Sequence, residues 1–475
     1  MTPAFYKFGR FLFYALPAPD GNYNIPPPDG TAVKESKNLS AFLKKASGCY
    51  LLALDASKKI EFGSGALRRM LQIAGDTQAG IIYSDYLIRR ETQTTARPLI
   101  AYQRGSIRDD FNFGHALLFS TAAVKASLQK YGALPRDPDS GFYDLRLKIS
   151  LDHEIFHLPE FLYTVAAVKD AMPRTRKNRR EEAHFAYVAA RNAARQKELE
   201  LLATKYLKLS GAYLRPRTKK ATPAHAFSPV QASIIIPVLN RRQTIADALK
   251  SALAQKTAFN FNIIVVDNHS TDGTTDIVKA MAARYPAVQH LIPVRRDLSI
   301  GGCWNEAIYS PRCGRFAVQL DSDDIYSSPA TLQTVVNMLI EGNYAMVVGS
   351  YTIVNEHLKK IPPGLIAHRE WTNANGHNNL LRINGLGAPR AFDTAVLRRI
   401  GFPNVGYGED YAVALRISRE YKIGRIYKSL YLCRRWPANT DAALSVEKQN
   451  LNDFYKDKLR TMEITARRNL TAKGR

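Results

Sequence analysis

The chain has 475 residues, 45% hydrophobic and 10% aromatic, enough for two or three domains with sizeable cores. Its 67 Lys and Arg against 42 Asp and Glu give a net charge of +25, which points to acidic partners: nucleic acid, an anionic membrane face or phosphorylated substrates. Cys49, Cys303, Cys313 and Cys433 lack paired spacing and matching histidines, and no apolar run reaches bilayer length; this argues against a disulfide framework, a zinc site and a membrane span, and for a reducing compartment.

Met1 to Leu16 sets Lys7 and Arg10 among aromatics without a cleavable apolar core. It reads as a helix packed on the body of the protein, or as one lying on a membrane surface. Residues 17–34, rich in Pro, Gly and Asp, form an irregular connection. A helical pattern from Ser40 leads to residues 49–55, an apolar run ending in Asp55 and hence a buried strand. A helix over 65–74, a strand over 80–85, a run over 116–120 followed by a helix, and a helix over 143–150 leading to residues 154–159 and Leu162-Tyr163 complete this half.

The order recurs. Leu54-Asp55 returns as Leu320-Asp321, and Ile81-Ile82 with Ser84 as Val347-Val348 with Ser350, all 266 residues on. Residues 147–150 return as Leu415-Arg-Ile-Ser418, and Leu162-Tyr163 as Leu430-Tyr431, both 268 on. A nearly common offset implies an internal duplication. The first copy has Ser57 where Asp323 stands and Gly141-Phe142 where Glu409-Asp410 stand, so it is expected to be folded and chemically silent. Between the copies, the basic run 174–180 and the helix-forming run 181–209 read as a connector closed by residues 213–229.

In the second half, residues 233–240 read as a buried strand, 244–255 as a helix, 262–267 as a second strand and 276–284 as a helix. Residues 291–294 read as a third strand, 301–308 as the start of a helix, and 316–320 as a strand running into Asp321, Ser322, Asp323 and Asp324. Strand–helix alternation implies parallel pairing, with ligands at the carboxyl ends of the strands, where Asn240, Asp267 and Asp321 lie. Clustered carboxylates repel one another unless a positive charge joins them, and a hard divalent cation with oxygen ligands suits them. The alternative is an acidic turn capping the next helix.

Residues 235–240 (Ile-Ile-Pro-Val-Leu-Asn), 265–274 (Val-Val-Asp-Asn-His-Ser-Thr-Asp-Gly-Thr), Gly301-Gly302 with Asn305, and Leu320-Asp-Ser-Asp-Asp324 resemble the family 2 glycosyltransferases of GT-A fold. Glu409-Asp410 and Arg434-Arg435-Trp436 resemble that family's downstream acidic and basic-aromatic motifs. The resemblance covers residues 232–441. It implies an α/β GT-A fold, a mostly parallel sheet flanked by helices, at 230–440. It also implies a truncated GT-A-like domain at 1–170, a basic helical connector at 171–229 and a helical tail at 441–475.

The implied activity is metal-dependent, inverting transfer of a sugar from a nucleotide-diphosphate sugar to a saccharide or lipid-linked acceptor. The setting would be surface glycan or polysaccharide biosynthesis, in the cytoplasm or peripherally on the cytoplasmic face of a membrane. By position, Pro237, Asn240 and Asp267 would form the base and ribose pocket, with Ser322 beside it. Asp321 would touch ribose or support the metal, Mn²⁺ or Mg²⁺, and Asp323 would bind it. Asp410 is the expected base and Glu409 its helper, with the reverse open.

Arg434 and Arg435 would neutralise the diphosphate. Gly385, Gly387, Arg390 and Trp436 are placed on the acceptor side, Arg390 either holding a phosphate or pairing at the surface. His269 is read as a loop histidine and Cys303 as core. Arg295-Arg296-Asp297 stands where the family often has an Asn-Gly-rich turn, which leaves the base contacted there open. The competing readings are a scaffold that binds nucleotide-sugar or glycan without turnover, and a nucleic-acid binder. The latter lacks interleaved basic and aromatic motifs, so no nucleic-acid partner is expected.

Overall fold

In the computed structural model the described residues are 5–16, 34–35, 38–166, 192–216, 219–221, 229–436 and 444–473. The basic run 174–180 and most of 17–34 lie outside them. Two units emerge. One gathers the residues before 167 with Ala194–Tyr213 and Ser445–Arg475; the other holds Leu214–Leu444. The C-terminal segment, expected as a tail, is a 27-residue helix, Val446–Ala472, belonging to the first unit.

The second unit is built on β10 (Ala232–Val238), β11 (Phe261–Asp267), β12 (Val288–Leu291), β13 (Phe316–Gln319), β14 (Ile325–Tyr326), β15 (Met346–Asn355), β16 (Lys360–Ile366), β17 (Arg390–Asp393) and β18 (Ile423–Arg435). Their order is β12-β11-β10-β13-β17-β15-β18-β14, with β16 on β15. The third strand falls at Val288–Leu291, a few residues before its expected place. β10, β11, β12 and β13 are parallel, and β17 is antiparallel to both β13 and β15, so the sheet is mixed. β10 reads Ala-Ser-Ile-Ile-Ile-Pro-Val and is buried throughout, as a strand covered on both faces must be. Helices Ile245–Leu253 and Thr331–Glu341 place Ile245, Leu249, Leu332, Val335 and Leu339 in the core that covers it.

The first unit is built on β1 (Phe5–Phe8), β2 (Phe11–Leu16), β3 (Lys34–Glu35), β4 (Tyr50–Asp55), β5 (Lys59–Phe62), β6 (Ile81–Arg90), β7 (Gln93–Arg97), β8 (Ala116–Ser120) and β9 (Ile155–Ala166). The N-terminus is therefore a hairpin and not a helix. Gly9, at φ 57°, supplies the turn, and β2 pairs with β4, burying Phe11, Phe13 and Tyr14.

From β4 onward the two sheets coincide element by element. The first runs β4-β8-β6-β9-β5 with β7 on β6, the second β13-β17-β15-β18-β14 with β16 on β15, and each pair has the same sense. The ladders correct the expected register by one residue. Tyr86 pairs with Tyr163 and Tyr351 with Tyr431, an offset of 351 − 86 = 265 in that strand instead of 266. Both ladders are irregular just before this rung.

Candidate functional site

The carboxyl end of β13 carries the acids. Asp324 and Ser322 are buried, whereas Asp321 and Asp323 are half-buried. The Asp321 backbone N–H donates to the Tyr431 hydroxyl at 2.8 Å, and both of its carboxylate oxygens accept from the Gln319 side-chain amide at 2.9 Å. Burial pushes the Asp321 carboxyl up and the charge of Asp323 adds to this, while Arg390 opposes it. Asp324 is pushed well above the carboxylate range by burial and by the charges of Asp323 and Asp321; its Oδ1 accepts the Arg434 N–H at 2.7 Å. The Ser322 carbonyl accepts from the Thr244 hydroxyl at 2.9 Å, which ties the acidic turn to the start of helix Ile245–Leu253.

Across from these acids, helix Glu409–Ser418 begins after Gly408, which has φ 82°. Asp410 is ion-paired with Arg390, whose guanidinium also donates to the Gly387 carbonyl at 3.2 Å. Arg390 lies at the start of β17, beside β13. Burial would lower its pKa, yet the carboxylates of Asp410, Asp321 and Glu409 hold it charged. Glu409 is buried, and burial together with the neighbouring Asp410 pushes its carboxyl up to about 8. Asp321, Glu409 and Asp410 thus all bear on the charge of Arg390, Asp410 through a direct ion pair.

Gly387, at φ 103°, can bear no ordinary side chain: a Cβ there would come within 3.0 Å of the Gly349 carbonyl and of the His368 ring. Gly385 lies two residues earlier on the same loop and is half-buried.

Pro237, Asn240 and Asp267, the expected base and ribose pocket, lie in β10, just past it and at the end of β11. Pro237 is buried in β10. Asp267 is wholly buried, and its oxygens accept from Ser270 N–H at 3.0 Å and the Thr275 hydroxyl at 2.6 Å, with His290 Nε2 at 3.3 Å. Burial pushes its carboxyl up, but the hydrogen bonds from Thr275, Ser270 and His290 outweigh burial and hold it below its ordinary value. Asn240, at φ 52°, accepts from Thr271 N–H at 2.8 Å. Asp267 and Asn240 therefore both shape the turn 268–275. His269 is a loop residue at φ 61° whose Nε2 lies 3.0 Å from the Arg295 carbonyl, and Cys303 is in the core.

Trp436, expected on the acceptor side, lies at the acids instead, because the pairing of β14 with β18 carries the end of β18 past the turn. Its Nε1 is 3.4 Å from Asp323 Oδ2, and Arg241 stands 3.9 Å from the same oxygen and 5.9 Å from the Trp436 ring. The Arg434 side chain is buried and turned to Asp247 at 3.4 Å, whereas Arg435 is half-buried. Arg241 and Gln319 were not anticipated. Each is adjacent to a recognised motif, but nothing local marks a partner some 70 or 80 residues away.

Among the described residues no three His, Cys, Asp or Glu side chains converge as a metal cage. Asp321 and Asp323, two half-buried carboxylates at one strand end, nevertheless offer the kind of oxygen donors that a hard cation takes when ligand oxygens complete its shell.

In the first unit, Asp55 stands at the end of β4 as Asp321 does after β13. Its Oδ1 accepts from Ser57 N–H at 3.0 Å and from the Ser57 hydroxyl at 2.7 Å, and its Oδ2 lies 3.1 Å from His115 Nδ1. Local protein groups occupy this acid.

Residues 233–404 match the family described as Glycosyl transferase family 2. An uncharacterized glycosyltransferase of Rickettsia felis is 29% identical over 205 residues, 42% of this chain and 32% of that protein. The putative glycosyltransferase EpsE of Bacillus subtilis is 30% identical over 144 residues, 28% of this chain and 51% of that protein. The chain thus spans about a third to a half of these relatives' length. The solved structure of S. aureus TarS 1-349 in complex with UDP-GlcNAc is 22% identical, covers 49% of this chain and 66% of that one, and gives a TM-score of 0.40.

Proposed function

We propose that this chain, whose residues 233–404 match glycosyl transferase family 2, transfers a sugar from a nucleotide-diphosphate donor to a hydroxyl acceptor with inversion, aided by a divalent cation. The supporting observation is the ion pair of Arg390 with Asp410, beside the charge of Asp321 at the strand end. Transfer needs both sides of this arrangement: charge control at the departing diphosphate, and a base at the attacking alcohol.

Asp321 and Asp323 would hold Mn²⁺ or Mg²⁺, which when bound supplies positive charge against the diphosphate. Asp410 accepts the acceptor hydroxyl proton as the oxygen attacks the anomeric carbon. The sugar–phosphate bond breaks on the opposite face with its electron pair passing to the diphosphate, so the configuration inverts. Asp410 suits the role better than Glu409. Its side chain is partly exposed and fixed by Arg390, whereas Glu409 is buried and, with its carboxyl near 8, is protonated at neutral pH.

Asp267 and Asn240 would act on the donor by shaping the turn 268–275, and Arg241, Trp436 and Arg435 would face its phosphates. The acceptor, a saccharide or lipid-linked saccharide, would enter over Gly385 and Gly387. No described helix is long and apolar enough to cross a membrane.

The test is a panel of nucleotide-sugars assayed for donor hydrolysis with Mn²⁺ or Mg²⁺. One nucleotide class should turn over; chelation should abolish it, and Asp410→Ala and Asp323→Ala should each cut it at least about 100-fold. Full activity in either variant would overturn the assignment, and donor binding without turnover would favour a scaffold.

A further inference from the structure

Gln319 is the one strongly polar side chain in the strand Phe316-Ala-Val-Gln, and it is 2% exposed. A buried amide costs stability unless its donors and acceptor are used. Here they are used on two different elements. The Nε2 group donates to both Asp321 oxygens at 2.9 Å, and Oε1 accepts the Arg390 backbone N–H at 3.2 Å.

The position explains the arrangement. The β13–β17 ladder pairs Phe316 with Asp393, Ala317 with Phe392 and Val318 with Ala391. The next rung would set Gln319 opposite Arg390. Backbone pairing stops there, and the Gln319 side chain takes the Arg390 N–H in its place. Its own carbonyl is held by the Tyr326 hydroxyl at 2.8 Å, so the amide is anchored from behind.

We propose that Gln319 is a positioning residue that yokes the metal-side acid Asp321 to the strand bearing Arg390, and through Arg390 to Asp410. The donor half and the acceptor half of the site then keep one spacing. This rests on the donor reading above and adds a residue that acts through others and touches no reacting atom. A methionine has similar volume but neither hydrogen bond. It would leave Asp321 without its amide donor and Arg390 N–H without its acceptor.

The test compares Gln319→Met in the full chain with Gln255→Met. Gln255 is a second buried glutamine, bonded to Ser251, Ser328 and Leu332 away from the acids. Mn²⁺ affinity is read by electron paramagnetic resonance titration without donor, kcat by donor hydrolysis, and Tm by calorimetry. Gln319→Met should weaken Mn²⁺ binding and lower kcat by about 10-fold or more, as loss of an orienting partner of a metal ligand does. Gln255→Met should lower Tm comparably and leave both readouts alone.

Gln319→Asn, an amide too short to span both partners, carries the same expectation if the methionine variant does not fold. Mn²⁺ binding and kcat within twofold of the parent protein in the Gln319 variant would overturn the yoke. A parent protein that neither binds Mn²⁺ nor hydrolyses any donor would overturn the donor reading itself, and with it this inference.

Discussion

Glu409 and Asp410 are neighbours in sequence with different surroundings, and pH separates them. The Glu409 carboxyl rises from an ordinary 4.5 to about 8 in the folded protein. The native state therefore binds this proton more tightly than the unfolded chain does. The resulting stability is fully present below about pH 4.5 and is lost as pH rises through about 8. Glu409→Gln replaces the protonated acid with a neutral isostere. Urea midpoints of parent and variant should run together near pH 5 and separate toward pH 9, with the variant the more stable; parallel curves would refute the shift.

At this scale the sequence was informative where chemistry is concentrated in a motif. Asp321, Asp323 and Asp410 could be named because they fall within an ordered set of motifs; an acid at a strand end or a helix start is common by itself. Arg390 was seen without its partner, and Gln319 was passed over, because both are defined by what lies opposite them in the sheet. Asp267 was named from its place at a strand end, and the hydrogen bonds from Ser270 and Thr275 by which it holds the following turn were not foreseen.

Among elements, the Gly301-Gly302 pair shows what a recognised motif can be for. A Cβ on Gly301 would fall 1.9 Å from the Pro403 carbonyl and 3.2 Å from the Glu409 Cβ; one on Gly302 would fall 2.5 Å from the Asn404 side-chain oxygen. Asn305, one turn on, donates to the Phe402 carbonyl and accepts the Phe402 N–H, each at 2.8 Å. Helix Ile300–Tyr309 is thus the bed on which the loop before Glu409-Asp410 lies. Gly301→Ala should force that loop off, costing about 1–3 kcal/mol by urea denaturation and lowering kcat more than donor KM. Unchanged kinetics would show that the loop has slack.

The buried strands were legible because uninterrupted Ile and Val runs have few other uses. The N-terminal hairpin was not: its aromatics suit a helix face as well as a strand, and only the turn at Gly9 and pairing with β4 decide between them. β17 is four residues long and begins with an arginine, too short for any periodicity to show.

Over the whole molecule, the shared strand order was hinted at by a nearly common offset in short matches, whereas the build of the first unit from three separate segments was not, since no local pattern says where a distant helix will dock. That docking is specific. Asp457, wholly buried on the C-terminal helix, accepts from the Ser106 hydroxyl at 2.8 Å, lies 3.3 Å from Arg108 Nε and accepts from Arg460 at 2.7 Å. Gly105 lies so close that a Cβ would come 2.2 Å from the Asp457 carbonyl. Asp457→Ala would take a carboxylate from two buried guanidinium groups, leaving Arg108 with Asp110 at 2.8 Å and Asp453 at 3.5 Å, and should cost about 3–5 kcal/mol, read as a lower urea midpoint for the first unit. A loss below about 1 kcal/mol would mean that the acids already beside Arg108 suffice to hold it.

The same helix sets a timetable for the ribosome. Residues 214–444 can close their sheet as soon as they have emerged, but Arg108 of the earlier half must wait until residues beyond Ser445 have followed before it meets Asp457. A nascent chain halted before Ser445 would hold a second unit whose sheet is closed and a first unit whose Arg108 still lacks Asp457.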